Sequence, residues 1–189
     1  IRDRIQGVAS TKILYVSQSN DVDTSYRLYV ADADGVNEQL LVKSPEPIIS
    51  PAWSPDSKKV AYVSFETGIA NVYIQDISTG ERQSIIEKRC LTCISNEQIS
   101  SPSWSPDGKY LSLTLYQDGN AEIYIYNLQK RNLTRLTNHY SIDTESQWSP
   151  DGRKLMFTSG RSGSPQLYEL DLRKLNKKIL VIVPFVIIL

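Results

Sequence analysis

The stretch Trp104-Ser105-Pro106-Asp107-Gly108 decides the fold, because the chain contains it three times in closely related form. Trp53-Ser54-Pro55-Asp56 precedes it, and Trp148-Ser149-Pro150-Asp151-Gly152 follows it. The three tryptophans are 51 and 44 residues apart, and each motif is followed by two runs of alternating apolar and polar residues. A repeat of roughly 43 residues that is built from short strands is typical of the blades of a β-propeller.

The order Ser-Pro-Asp-Gly within the motif predicts a type I β-turn. Proline presets the backbone at the second position, and glycine suits the fourth, where Ser57 stands in the first copy. The tryptophan before each turn is large and apolar, so we expect it to fill the space between neighbouring blades. The motif therefore predicts a structural role in building the blades and no catalytic role.

The repeat predicts an all-β protein, a β-propeller of WD40-like blades with about four blades present. Residues 12–17 match residues 59–64 almost position for position, so a first blade precedes the first tryptophan motif. We expect four consecutive four-stranded antiparallel blades, with Trp53, Trp104 and Trp148 buried at equivalent places. The predicted divisions are the end of a preceding domain or a linker at 1–10, blades at 11–46, 47–93, 94–140 and 141–178, and an atypical apolar tail at 179–189.

Composition narrows the classes of partner. Lysine plus arginine and aspartate plus glutamate number 21 each, without a dense basic stripe, which disfavours a nucleic-acid partner. The apolar tail is too short for a membrane span, which needs about 20 residues. The chain opens at Ile1 without a signal-like segment, so we expect it to be a processed or truncated piece of a longer protein.

Two motifs bear on metals and redox chemistry. Asp21-x-Asp23-x-Ser25 starts like a calcium loop, but the glycine and the terminal glutamate of that loop are missing, which favours a solvated loop. Cys90-x-x-Cys93 has no second pair for zinc and no βαβ pattern for a thioredoxin-like site. An incidental surface loop is the preferred interpretation, and a small disulfide in an oxidising compartment stays open. We predict no metal and no cofactor.

The sequence also lacks the patterns of an enzyme. His139 is the single histidine, and no nucleophile elbow accompanies it. No glycine-rich phosphate loop is present either. We expect His139 to be an exposed loop residue and the protein to be no enzyme.

Segment 44–56, Ser-Pro-Glu-Pro-Ile-Ile-Ser-Pro-Ala-Trp-Ser-Pro-Asp, resembles the propeller of the TolB family, and so does Tyr15-Val16-x-Gln18. Proteins of this family belong to the periplasmic Tol–Pal cell-envelope system of Gram-negative bacteria, and they place an α/β domain before a six-bladed propeller. The resemblance covers roughly residues 1 to 171. The tryptophan motif alone is less specific, because prolyl oligopeptidase-like enzymes carry it too.

The resemblance implies a non-enzymatic, protein-binding scaffold in the periplasm. It implies as partners the peptidoglycan-associated lipoprotein Pal, bound at one mouth of the central channel, and other Tol proteins. The implied role is to help maintain envelope integrity during division.

The segment before each tryptophan is expected to enter the innermost strand of its blade, so its residues should line the channel mouth. The candidate partner-binding residues are Glu46, Ser50, Gln98, Ser101, Thr144 and Glu145. The resemblance carries the Pal-contacting positions of the family onto the last four. Gln98 stands where histidine is usual, and Ser101 where a small residue is usual. The plain alternative is that these polar residues only solvate loops.

Two other functions stay open on the sequence. One is the gating propeller of a prolyl oligopeptidase-like serine peptidase, which requires a C-terminal hydrolase domain. The other is a non-functional truncated remnant.

Overall fold

The computed structural model describes residues 11–19, 25–85, 98–117, 119–174 and 182–184. It confirms the all-β fold. Within these residues the only helical segment is one 3-10 turn, Leu172–Lys174. The predicted segment 1–10, the Asp21–Asp23 motif, Cys90 and Cys93 lie outside the described residues.

The strands form four antiparallel sheets, which we call blades 1 to 4. Blade 1 contains β1 (Lys12–Ser19), β2 (Ser25–Asp32) and β3 (Gln39–Ser44). Blade 2 contains β4 (Ile48–Trp53), β5 (Lys59–Ser64), β6 (Asn71–Asp76) and β7 (Arg82–Ser84). Blade 3 contains β8 (Gln98–Trp104), β9 (Tyr110–Gln117), β10 (Asn120–Asn127) and β11 (Asn132–Arg135). Blade 4 contains β12 (Asp143–Trp148), β13 (Lys154–Ser159), β14 (Gln166–Asp171) and β15 (Ile182–Pro184).

The prediction of four strands in every blade is confirmed for blades 2 to 4, and blade 1 has three strands among the described residues. Its first strand, β1, corresponds to β5, β9 and β13, so blade 1 has no described counterpart of the innermost strands β4, β8 and β12. In blade 4, β15 pairs with β14 as the outermost strand, so this sheet reaches past residue 178 into the predicted tail. The blade divisions drawn from the sequence otherwise stay predictions.

Each Trp-Ser-Pro-Asp motif closes a turn with the same hydrogen bonds. The amides of Ser57, Gly108 and Gly152 donate to the carbonyl of the serine three residues earlier, each at 2.9 Å. The aspartate carboxylate accepts from the hydroxyl of that serine at 2.6–2.7 Å. These contacts lower the pKa of Asp56 and of Asp151. The turns are therefore fixed by their own side chains, as the sequence predicts.

The tryptophans join successive blades through the indole nitrogen. Trp104 Nε1 donates to the carbonyl of Ala52 at 3.2 Å, and Trp148 Nε1 donates to the carbonyl of Ser103 at 3.1 Å. Each indole thus bonds the residue that precedes the tryptophan of the previous blade. The expectation that all three tryptophans are buried holds for Trp104, which is 9% exposed, whereas Trp53 and Trp148 are half-buried. Trp148 stacks on the Tyr110 ring beside a cleft between blades 3 and 4, which leaves part of its surface open.

The core lies between blades, in three layers. Leu28 and Tyr62 pack between blades 1 and 2, Val63 and Leu113 between blades 2 and 3, and Ile123 and Phe157 between blades 3 and 4. Because blades 2 and 3 are each packed between two neighbouring blades, the innermost strands of blades 2 to 4 are held next to one another. This packing fixes the position of the candidate site.

Candidate partner-binding site

The innermost strands of blades 2, 3 and 4 share a β-bulge at the same position. The register with the neighbouring strand shifts after Ile49, Ser100 and Thr144. The residue after each shift has a positive φ: 52° at Ser50, 53° at Ser101 and 55° at Glu145. This left-handed conformation costs a non-glycine residue about 1–2 kcal/mol, and such strain is often found at functional sites. Three of the six candidate residues therefore occupy one repeated, strained position.

The three bulge residues face one cavity of about 690 Å³ on the inner side of the propeller. Its lining also includes Ser103 and Gln147, whose side chains are joined by a hydrogen bond of 3.1 Å. Ser50 and Glu145 are exposed, and Ser101 is half-buried. The fold thus brings Ser50, Ser101 and Glu145 together on one accessible surface.

Thr144 lies beside this cavity and ties blade 4 to blade 3. The Thr144 hydroxyl is 3.4 Å from the Thr114 hydroxyl. The Thr114 hydroxyl also accepts a hydrogen bond from the backbone amide of Glu145 at 3.2 Å. Thr114 is buried on β9, so the bulge of β12 is anchored to the neighbouring blade. A change at Thr144 would act directly on the position of Glu145.

Glu46 and Gln98 do not line the cavity. Both are exposed and lie where the chain enters the innermost strands β4 and β8. The Glu46 amide donates to Ser44 Oγ at 3.0 Å, and Gln98 pairs with Tyr116 of β9. These two residues belong to the outer rim at the same end of the blades.

The loop between β11 and β12 is a part of this end that the sequence reasoning missed. Buried Glu122 holds it, accepting from the amide of His139 at 2.7 Å and from Arg135 at 2.9 Å. Tyr140 is 85% exposed and Ile142 is 58% exposed. The sequence signal that could have identified this loop is the presence of Tyr140 and Ile142 next to a predicted channel strand. An exposed aromatic on a firmly held loop suits contact with another protein.

The expectation for His139 needs a correction. Its ring is half-buried because it packs on Tyr140 with the ring centroids 4.1 Å apart, and Nδ1 accepts from the amide of Ser141 at 3.1 Å. His139 therefore shapes the loop.

Blade 4 contains a buried ion pair at the start of its innermost strand. Asp143 is fully buried and accepts from Arg161 Nη2 at 2.6 Å, while the Arg161 side chain is 14% exposed. The guanidinium of Arg161 also lies over the Tyr168 ring, 4.9 Å from its centroid. Since Asp143 immediately precedes Thr144, this pair holds the start of the candidate site.

Neither a metal site nor a membrane span emerges from the described ranges. No group of three or more His, Cys, Asp or Glu side chains in them is arranged to hold a metal ion. No helical segment in the same residues has the length and apolarity needed to cross a membrane.

Four antiparallel sheets that pack face to face, with the innermost strands of blades 2 to 4 around one cavity, define a β-propeller protein. Residues 3–181 match the family described as the TolB beta propeller domain. The chain belongs to the TolB family.

Two relatives show how much of a TolB protein this chain represents. The Tol-Pal system protein TolB of Ruthia magnifica subsp. Calyptogena magnifica is 41% identical over 135 residues, which are 70% of this chain and 30% of that protein. The crystal structure of TolB from Acinetobacter baumannii is 42% identical with a TM-score of 0.78, covering 92% of this chain and 41% of that one. The chain therefore spans less than half the length of these relatives.

The peptidase alternative is not supported at the level of sequence. A puromycin-hydrolyzing peptidase of Mycobacterium tuberculosis matches with a TM-score of 0.69 but only 15% identity, which shows a shared fold alone. The relatives reported above, at 41% and 42% identity, are both TolB proteins. By sequence, the chain thus groups with the TolB proteins.

Proposed function

We propose that this chain is the partner-binding part of a periplasmic TolB propeller, which binds the peptidoglycan-associated lipoprotein Pal and helps maintain envelope integrity during division. The single observation that carries the proposal is the repeated bulge. Ser50, Ser101 and Glu145 stand at one strained position in three successive blades, and they share one open cavity.

The surroundings of this cavity support a protein partner. Tyr140 and Ile142 expose apolar surface on a loop at the same end, next to polar residues that can form the rim of an interface. Interfaces commonly combine aromatic anchors with such a rim. Glu46, Gln98 and Thr144 extend this surface along the strand starts. Other Tol proteins are further partners of the same scaffold.

The proposal is tested by titrating Pal against variants of the full-length protein that contains this chain. Ser101→Arg and Thr144→Arg each place a bulky cation at the docking surface, so we expect Pal affinity to fall at least tenfold. Gln129→Arg is the matched control, because Gln129 is an exposed turn residue at the opposite end of blade 3. Lys58→Ala, in the turn after Trp53, should also change affinity little.

Circular dichroism and thermal unfolding verify that the variants stay folded. Equal losses for Gln129→Arg and Thr144→Arg, with all proteins folded, would contradict a docking surface at the strand starts.

A further inference from the structure

Segment 140–142 of the loop between β11 and β12 carries two exposed apolar side chains and follows a residue whose backbone is firmly held. The amide of His139 donates to Glu122 Oε1 at 2.7 Å. The carbonyl of His139 accepts from the side-chain amide of Asn120. Both partners belong to β10, so the backbone of His139 is a fixed point from which the segment starts.

Beyond this point the ring of His139 holds the segment. The backbone amide of Ser141 donates to His139 Nδ1 at 3.1 Å, and the ring packs on Tyr140 with the centroids 4.1 Å apart. This is the one hydrogen bond that residues 140–142 form with any described residue. The next fixed point is Asp143, which starts β12 with its buried ion pair. A single side-chain acceptor therefore sets the path of the segment.

This acceptor exists only while the histidine is neutral. Because Nδ1 accepts a hydrogen bond, the proton of the neutral ring is on Nε2. A second proton turns Nδ1 into a donor that faces another donor, the Ser141 amide, and the bond is lost. Histidine is the side chain whose charge ordinarily changes between about pH 8 and about pH 5. The bond is therefore formed toward the upper end of this range and lost toward the lower end.

The charged groups around the ring are already paired. The ionisable side chains on the elements around it, from its own loop, β10, β11 and the start of β12, are Tyr140, Glu122, Tyr124, Arg135 and Asp143. Glu122 pairs with Arg135 at 2.9 Å, and Asp143 pairs with Arg161 at 2.6 Å. Neither carboxylate is free to replace the lost bond. A cavity of about 270 Å³ beside His139 and Tyr140 leaves room into which the protonated ring can turn.

We propose that His139 is a pH-sensitive latch for segment 140–142. The neutral ring fixes the segment, and with it the apolar surface of Tyr140 and Ile142, whereas protonation releases the Ser141 amide. The latch stands on this geometry alone. Its consequence for binding rests on the proposed function, because Tyr140 and Ile142 extend the surface that docks Pal. Acidification is therefore expected to weaken this docking.

The latch is tested by hydrogen–deuterium exchange in the full-length protein that contains this chain. The protection of the Ser141 amide, corrected for the intrinsic effect of pH on exchange, is measured at about pH 8 and about pH 5.5. We expect it to fall roughly fivefold on acidification, as for the loss of one hydrogen bond. The amide of Gly108, which donates to a carbonyl within its turn, is the internal control and should keep its protection. Circular dichroism verifies that the protein is folded at both pH values.

Two variants give the limiting states of the latch. His139→Asn places a side-chain oxygen where it can accept from the Ser141 amide, and asparagine takes up no proton in this range. His139→Leu retains an apolar contact for Tyr140 and removes the acceptor. We expect protection of Ser141 to be independent of pH in His139→Asn and low at both pH values in His139→Leu.

The effect on docking is measured by titrating the soluble domain of Pal at the same two pH values. On acidification the wild type should lose roughly threefold more affinity than His139→Asn, since the released segment must be ordered again on binding. Any titration within Pal acts on both proteins alike and cancels in this comparison.

The outcomes separate the latch from the proposed function. Unchanged Ser141 protection in the wild type between the two pH values, or wild-type protection in His139→Leu, would overturn the latch. If protection changes as expected but the wild type and His139→Asn lose equal affinity, the link between the latch and docking is wrong. The proposed function fails separately, if Ser101→Arg and Thr144→Arg bind Pal like the wild type, and the exchange result still decides the latch.

Discussion

Blades 2 and 4 both hold an arginine over the tyrosine at the same position of the third strand of the repeat. The carboxylate that pairs with this arginine follows the second strand in blade 2 and starts the innermost strand in blade 4. In blade 2, Arg82 of β7 lies 4.5 Å from the centroid of Tyr73 and pairs with Glu66. In blade 4, Arg161 lies 4.9 Å from the centroid of Tyr168 and pairs with Asp143. Glu66 and Arg161 follow β5 and β13 at equivalent positions, so the charge at one site of the scaffold is reversed.

The difference extends to the innermost strand. Ile48 of blade 2 pairs with Ser64, and Asp143 of blade 4 pairs with Ser159 in the same register. An apolar residue therefore starts the innermost strand in blade 2, and a fully buried carboxylate starts it in blade 4. The innermost strand of a blade can therefore start with either an apolar residue or a buried carboxylate that is paired with arginine. Among the three blades whose innermost strand is described, blade 4 alone has a buried ion pair at the start of that strand.

The largest effect is expected from breaking the pair in blade 4. Arg161→Met leaves Asp143 as an unpaired buried charge, so the free energy of unfolding should fall by about 3–5 kcal/mol. Denaturant unfolding of the chain, followed by tryptophan fluorescence, measures this loss. Arg153→Met serves as the control, because Arg153 is 64% exposed and should contribute little.

A double substitution sharpens the same point. Asp143→Ile with Arg161→Met gives blade 4 the apolar residue of blade 2, and it should recover most of the stability that Arg161→Met removes. A double variant as unstable as the single one would mean that Arg161 acts through its stacking on Tyr168 and not through the charge of Asp143.

Features that consecutive residues encode could be predicted from the sequence, whereas contacts between residues far apart in the chain could not. The turn after Trp104 is encoded by four consecutive residues, so the motif predicts it and the blade that follows. Asp143 and Arg161 are 18 residues apart, and nothing in either neighbourhood indicates that they meet. The positive φ of Ser50 and Ser101 has no local signature, because serine rarely adopts it. The candidate residues could be placed on the innermost strands, but their shared cavity depends on the packing of three blades.

A smaller effect is expected from the equivalent change in blade 2. Arg82→Met removes the pair with Glu66, but both side chains are partly exposed, at 32% and 24%. Water can solvate the remaining carboxylate, so the free energy of unfolding should fall by about 1 kcal/mol. The same denaturant experiment measures it. If Arg82→Met costs as much as Arg161→Met, burial does not explain the contrast between the blades.

The turns of the two blades differ as well. Ser57 in blade 2 has a φ of 56°, where blade 4 has Gly152 with a φ of 68°. Ser57→Gly removes the strain of a side chain in the left-handed region and should stabilise the chain by roughly 0.5–1 kcal/mol, measured as a shift of the denaturation midpoint. Gly152→Ser should destabilise by a similar amount. A loss of stability in Ser57→Gly would contradict the strain assigned to this turn.

The smallest effect concerns alkaline pH and the tyrosine beneath Arg82. Burial, followed by the hydrogen bond with Glu66, raises the pKa of Tyr73 from 10.0 to about 12. Because the folded state holds this proton more tightly than the unfolded state, its contribution is fully present below pH 10 and is lost as the pH rises from 10 to 12. Tyr73→Phe should remove that dependence. Between pH 9 and pH 10.5 the free energy of unfolding of the wild type should therefore fall by roughly 0.5 kcal/mol more than that of Tyr73→Phe. Chemical denaturation of both proteins at the two pH values measures the difference, and identical losses in both would show that Tyr73 ionises alike in the folded and unfolded states.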